Sequence, residues 1–197
     1  MKYPNGIKTT GNKLINYSNR GMGLEHLIDD SNTYYLENDI AIIYKKPTPI
    51  TIVDASFDSH GRVITKAYFK QPSTLDYNGI YKGRYIDFDA KESKNKTSFP
   101  LQNLHEHQYI HMKNVINHGG ISFLIISINN NIYYLDGKDI INFIENETRK
   151  SIPISYIEDH GYIIEQKIRP RLNYLYILDL LYFKEDMYGC KKEKDNK

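Results

Sequence analysis

The 197-residue chain contains one cysteine, Cys190, so no internal disulfide can form, which suits a reducing cytosol. No apolar run approaches the roughly 20 residues that a membrane-spanning helix needs. The opening stretch MKYPNGIKTTGNKLINYSNRG lacks the apolar core of a signal peptide. A strong excess of one charge is also missing, because 26 Lys and Arg stand against 24 Asp and Glu for a formal net charge of +2. A surface for nucleic acid must therefore come from local clustering. Internal repeats are absent too. These absences point to a single soluble, cytoplasmic domain with no membrane partner, large enough to bury most of its apolar surface.

The pattern that remains is that of a mixed α/β domain with a central sheet and helices on its faces. Residues 1–18 form a polar, Asn/Lys-rich arm without an acidic residue, and 186–197 a charged, solvated tail. Leu24, Leu27, Ile28 and Tyr35 recur at helical spacing. DIAIIYKK, 39–46, reads as a short strand ended by Pro47 and Pro49. TIVDASFDSHGRVITKAYFK, 51–70, reads as two strands around a Ser59-His60-Gly61 turn. Asn78-Gly79 and Lys82-Gly83 are turn signals. In the second half, Pro100 suits the first position of a helix that Gly119-Gly120 stops. GISFLIISI, 120–128, reads as a central strand and Asn129 to Asn131 as a turn into IYYLD. GKDIINFIENE and NYLYILDLLYF are helical.

Chemistry concentrates in DYNGIYKGRYIDFDAKE, 76–92. In an extended strand Ile86, Phe88 and Ala90 share one face, and Asp87, Asp89 and Lys91 share the other. That polar face is either the solvated side of an antiparallel strand or a metal-dependent nuclease centre. In the second case two carboxylates hold a hard cation and a lysine offsets developing charge. The turns at Gly79 and Gly83 allow Asp76 to double back towards Asp89, with Thr74 pointing the same way. On the following helix Gln108 is the one amide in a stripe of Leu101, Leu104, Met112 and Val115. A buried amide needs a partner, either neighbouring backbone or a metal site with its waters.

Asp-x12-Asp-x-Lys followed by a helix bearing Gln is similar to the PD-(D/E)xK nuclease signature. More specifically, SNRGMGLE, IAIIYKKPTPI, AYFKQPST, DYNGIYKGRYIDFDAKE and NKTSFPLQN resemble RecU-type Holliday junction resolvases, a likeness running from about residue 17 to 183. The resemblance implies a restriction-endonuclease-like core over 19–185 with a protruding hairpin stalk at about 51–70. It implies a Mg²⁺-dependent homodimeric endonuclease, with Mn²⁺ as a substitute. That enzyme would cut four-way junction DNA by paired, symmetric nicks in recombination and repair, with recombinase and branch-migration proteins as further partners. Carried over, the metal-binding positions are Thr74, Asp76, Asp89 and Gln108. Lys91 becomes the lysine that stabilises the transition state, catalytic together with Asp76 and Asp89. The family motif most often has glutamate where this chain has Asp89. Glu25 is either a further member of the site or a solvated acid near a helix N-terminus.

The hairpin carries its own signal. Ile64, Lys66, Tyr68 and Lys70 alternate onto one face, interleaving basic and aromatic groups as a DNA surface does, and Arg20 joins them in the expected DNA-binding set. From Lys45 to Lys96 ten Lys and Arg face six Asp and Glu, so the basic excess is local. His105, His107 and His111 suggest a zinc cluster, and His107 with His111 has the i,i+4 spacing that two helical ligands need, but no cysteine or HExxH pattern accompanies them. The other functional readings are a nuclease acting on linear duplex and a structure-selective DNA-binding module.

Overall fold

The computed structural model describes residues 23–59, 61–70 and 74–184, so the N-terminal arm, Arg20 and the C-terminal tail with Cys190 lie outside the described residues. The chain begins with helix α1 (Leu24–Glu37) and strand β1 (Ile42–Lys45). The hairpin strands β2 (Ile50–Asp58) and β3 (Gly61–Phe69) follow, then β4 (Tyr77–Tyr81), β5 (Arg84–Glu92) and β6 (Ser98–Pro100). A short 3₁₀ turn at Leu101–Asn103 leads into α2 (Glu106–Asn117), β7 (Ile121–Ile128), β8 (Asn131–Asp136) and α3 (Gly137–Asn146). The chain continues with β9 (Ser151–Pro153), α4 (Ile154–His160), β10 (Tyr162–Ile163) and α5 (Tyr174–Tyr182). Among the described residues no helix is long and apolar enough to cross a membrane.

Six strands form one mixed sheet in the order β1-β4-β5-β7-β8-β10, in which only β5 and β7 run parallel. A parallel pair needs a crossover connection. Residues 93–120 supply it, and their helix α2 is thereby laid across one face of β5. The sheet has a core on each side. On one, Leu27, Ile28 and Tyr35 of α1 and Tyr174 and Leu178 of α5 pack on Ile86, Phe88 and Phe123. On the other, Met112 of α2, Ile140 and Phe143 of α3 and Ile157 of α4 pack on Leu124, Ile126 and Leu135. Tyr77, Phe88, Phe123 and Tyr134 make a ladder of rings across four neighbouring strands, with centroids 4.9, 4.6 and 4.6 Å apart. Aromatic pairs at such spacing add to simple burial, so the strand carrying Asp87 and Asp89 is clamped from behind.

Several expectations needed correction. Asn78-Gly79 is not a turn but the middle of β4, paired with β1. A Cβ on Gly79 would lie 2.0 Å from the Ile42 carbonyl oxygen, so glycine is required there by the close approach of a neighbouring strand. Lys82-Gly83 alone turns the chain, both residues having positive φ. Pro100 does not begin a helix. It ends β6, which pairs antiparallel with β9, and α2 starts only at Glu106. Leu101 and Leu104 therefore precede the helix that carries Gln108, Met112 and Val115. Strands β6, β9 and β10 and helix α4 are additions, each too short for a period to be readable in sequence.

The hairpin forms a sheet of its own. Every residue of its two strands is exposed except the half-buried Ala55, and Phe57 and Phe69 are 83% and 84% accessible. Its pairing skips Val53 on one strand and Thr65 on the other. The alternation expected from Ile64 to Lys70 is interrupted there, as β-bulges do.

Candidate active site

The site grows from the β4–β5 hairpin. Tyr77 pairs with Phe88, so Asp76, just before β4, is brought beside Asp89. The polar face of β5 is not solvated, since α2 covers it and both Asp87 and Asp89 are fully buried. Lys91 Nζ lies 2.8 Å from Asp89 Oδ2, and Gln108 Nε2 donates to the same oxygen at 2.6 Å. The Ala90 amide donates to Oδ1 at 2.8 Å. Burial pushes the Asp89 carboxyl up, to about 6, against the pull of Lys91 and with a further push from the neighbouring Asp76 carboxylate, to which it hydrogen bonds.

Gln108 takes a neighbouring backbone partner, the first of the two foreseen for it, and a carboxylate besides. Its oxygen accepts from the His105 amide at 3.2 Å, closing the capping box of α2, while its nitrogen holds Asp89. The amide thus presents a donor, not an oxygen, to the carboxylate pair. Thr74 donates to the Leu75 carbonyl at 3.3 Å and lines, with Asp76, a cleft of about 400 Å³. Glu25 and Pro47 also line this cleft, and Glu25 is paired with Lys45 at 2.7 Å. Glu92, the residue after Lys91, accepts the Leu24 amide at 2.7 Å and so fastens the start of α1 to the same strand.

A metal ion fits this donor set on physical grounds. The buried Asp89 carboxylate lies beside the half-buried Asp76 carboxylate, and burial, together with the charge of Asp76, raises the proton affinity of Asp89. A divalent cation satisfies both. Among the described residues no group of three or more His, Cys, Asp or Glu is gathered for a metal. Carboxylate oxygens are hard donors of the kind that hold a divalent cation. His105 and His107 stack on each other, with ring centroids 5.5 Å apart.

The structure also gathers on β5 a second polar cluster that the sequence did not foretell. Asp87 receives Lys46 Nζ at 2.7 Å and the Tyr85 hydroxyl at 2.5 Å, and His111 Nε2 approaches it to 3.3 Å. The Lys-Lys pair directly before Pro-Thr-Pro was the only local sign of this cluster. On the hairpin, Lys66, Tyr68 and Lys70 are exposed, and Lys66 Nζ sits 5.7 Å from the centre of the Tyr68 ring, a cation–π distance. Arg20 is outside the described residues.

A mixed sheet that presents Asp-x12-Asp-x-Lys from one hairpin, with a crossover helix over it, is the arrangement of the PD-(D/E)xK nuclease class. Residues 19–180 match the family described as RecU, Recombination protein U, and the chain belongs to that family. It is 49% identical to the Holliday junction resolvase RecU of Bacillus cytotoxicus and to that of Bacillus mycoides. Each alignment covers 93% of this chain and 98% of the relative. The corresponding Bacillus cereus protein is 48% identical over the same shares. Among solved structures, Hjc of Archaeoglobus fulgidus, a Holliday junction resolvase from an archaeal hyperthermophile, is a distant likeness. It has 9% identity and a TM-score of 0.43, covering 71% of this chain and 94% of that one.

Proposed function

We propose that this chain is a divalent-metal-dependent endonuclease of the cytoplasm that resolves four-way (Holliday) DNA junctions during homologous recombination and repair. The observation that carries the reading is the convergence of Asp76, Lys91 and Gln108 on the buried Asp89 carboxylate. It is supported by relatives that match almost the whole chain and bear the name of a junction resolvase. Asp76 and Asp89 hold Mg²⁺, with Mn²⁺ able to substitute. Thr74 is a further oxygen donor beside them, and Gln108 becomes one if its amide turns over. When bound, the cation acts as a Lewis acid on the scissile phosphate and makes water a better nucleophile.

The protein's own part is positioning and charge. Lys91 is held by Asp89 in a half-buried setting, where its ammonium is strong because water screens it poorly. It orients the attacking water and opposes the negative charge that builds on the phosphate. Gln108 fixes the rotamer of Asp89. The Asp89 carboxyl must lose its proton before it can hold the cation. The exposed hairpin, with Lys66, Tyr68 and Lys70, contacts the open centre of the junction, and Arg20 adds to the DNA surface. A junction has two-fold symmetry and its resolution needs two matched nicks, so a homodimer with two equivalent centres performs the reaction.

The test is cleavage of a four-way junction against linear duplex of the same sequence, with Mg²⁺ and with chelator. Paired nicks on the junction in Mg²⁺ alone are expected. Equal cutting of both substrates would replace this reading with that of a general duplex nuclease.

A further inference from the structure

Strand β5 carries a second buried carboxylate, Asp87, for which the cleavage chemistry above has no use. It is fully buried, two residues before Asp89 and on the same side of the sheet. A charge so placed needs partners. One of its oxygens, Oδ2, has three neighbours: Lys46 Nζ at 2.7 Å, the Tyr85 hydroxyl at 2.5 Å and His111 Nε2 at 3.3 Å. The Lys46 side chain is only 21% exposed, so the pair is largely withdrawn from solvent. Such pairs contribute geometry more dependably than net stability.

The geometry concerned is that of the carboxylate pair. Lys46 donates its main-chain N–H to the Asp76 carbonyl oxygen at 2.7 Å. One residue thus grips β5 through its side chain and the Asp76 segment through its backbone. The next three residues, Pro47-Thr48-Pro49, lead into the hairpin, and Lys70 closes its root by donating to the Pro49 carbonyl at 2.9 Å. Both prolines fix φ, so this connection is stiff.

We propose that Lys46 is a positioning residue, whose ion pair with Asp87 and main-chain bond to Asp76 set the separation of the two metal-holding carboxylates, Asp76 and Asp89. This rests on the metal-holding role given to that pair. The alternative is an ion pair that serves the fold alone. Lys46→Met with Asp87→Asn separates the two, because it removes both charges at once, keeps the lysine stem and the size of the aspartate and leaves neither partner as a lone buried charge.

The experiment compares wild type, this double variant and Lys46→Arg. It measures melting temperature, junction affinity in chelator, amide exchange at residue 46 without metal, and Mn²⁺ affinity by calorimetry without DNA. The double variant should melt near wild type and bind junctions within about twofold, yet exchange the residue-46 amide faster and lose about tenfold in Mn²⁺ affinity, the scale of loss seen when the support of a metal ligand is removed. Junction cleavage should fall with it, and Lys46→Arg should restore most of both. A folded double variant with Mn²⁺ affinity and cleavage within about twofold of wild type overturns the proposal. If the double variant does not fold, Asp87→Asn alone carries the same expectation and the same refutation. A wild type that binds no Mn²⁺ overturns the metal-centre reading itself, an outcome visible before any variant is compared.

Discussion

Gln108 Nε2 and Asp89 Oδ2 lie 2.6 Å apart although one residue is on a crossover helix and the other on the strand beneath it. The contact exists because β5 and β7 are parallel, which forces the connecting helix over the polar face of β5. The same crossing brings His111 to Asp87.

Loss of either carboxylate should remove cleavage without removing binding. Asp76→Ala and Asp89→Ala are each expected to give no detectable nicking in Mg²⁺, while junction affinity in chelator stays close to wild type, because affinity rests on basic residues elsewhere. Gel-shift and nicking assays on one preparation test this. Robust cutting by Asp76→Ala would exclude it as a metal ligand.

The two faces of β5 should separate activity from stability. Lys91→Ala is expected to slow cleavage by roughly two to three orders of magnitude with the fold intact, as loss of a group that stabilises developing charge does. Phe88→Ala opens a cavity in the ladder of rings and should cost about 3–5 kcal/mol of stability. Urea denaturation of both variants, with specific activity alongside, checks the pair.

A pH dependence follows from the raised carboxyl of Asp89. In the fold it titrates at about 6, against about 3.9 in an unfolded chain. Between those values the folded state keeps a proton that the unfolded chain has shed. The contribution of Asp89 to stability therefore declines as pH rises from about 4 to about 6 and is level above that. Metal-free wild type should lose melting temperature relative to Asp89→Asn across this window. Mn²⁺ affinity should rise over the same window, since the cation no longer has to displace a proton. An affinity independent of pH from about 5 to 7.5 would contradict the shift.

On the hairpin, replacing Lys66 and Lys70 with alanine should weaken junction binding and reduce the slope of log affinity against log salt by about one to two units, roughly one for each phosphate that is no longer neutralised. Linear duplex, with no open centre, should be affected much less. Equal losses on both substrates would make these lysines a general electrostatic patch.

Much of this was legible in the sequence, and the exceptions share a cause. The α1 stripe, the hairpin and the alternation from Ile86 to Lys91 are local patterns with a clear period. Asn78-Gly79 misled because the strand crowding that glycine belongs to β1, some 36 residues earlier in the chain. Pro100 misled because its pairing partner is Ser151. The Asp87 cluster escaped notice for the same reason: Lys46, Tyr85 and His111 meet only after β1 and α2 are set against β5. Asp76, Asp89, Lys91 and Gln108 were readable because their spacing is itself a signature, yet nothing in it revealed that Gln108 presents its nitrogen to Asp89.

The exposed hairpin has a consequence for how such a protein can change. Almost none of its surface is buried, and neither core draws on its side chains. Insertions, deletions and substitutions in it should therefore leave the melting of the remaining domain nearly untouched. Under the proposed junction-contacting role, the hairpin is a part whose substrate preference could be retuned without rebuilding either core, and exchanging hairpins between relatives is the experiment that would show it.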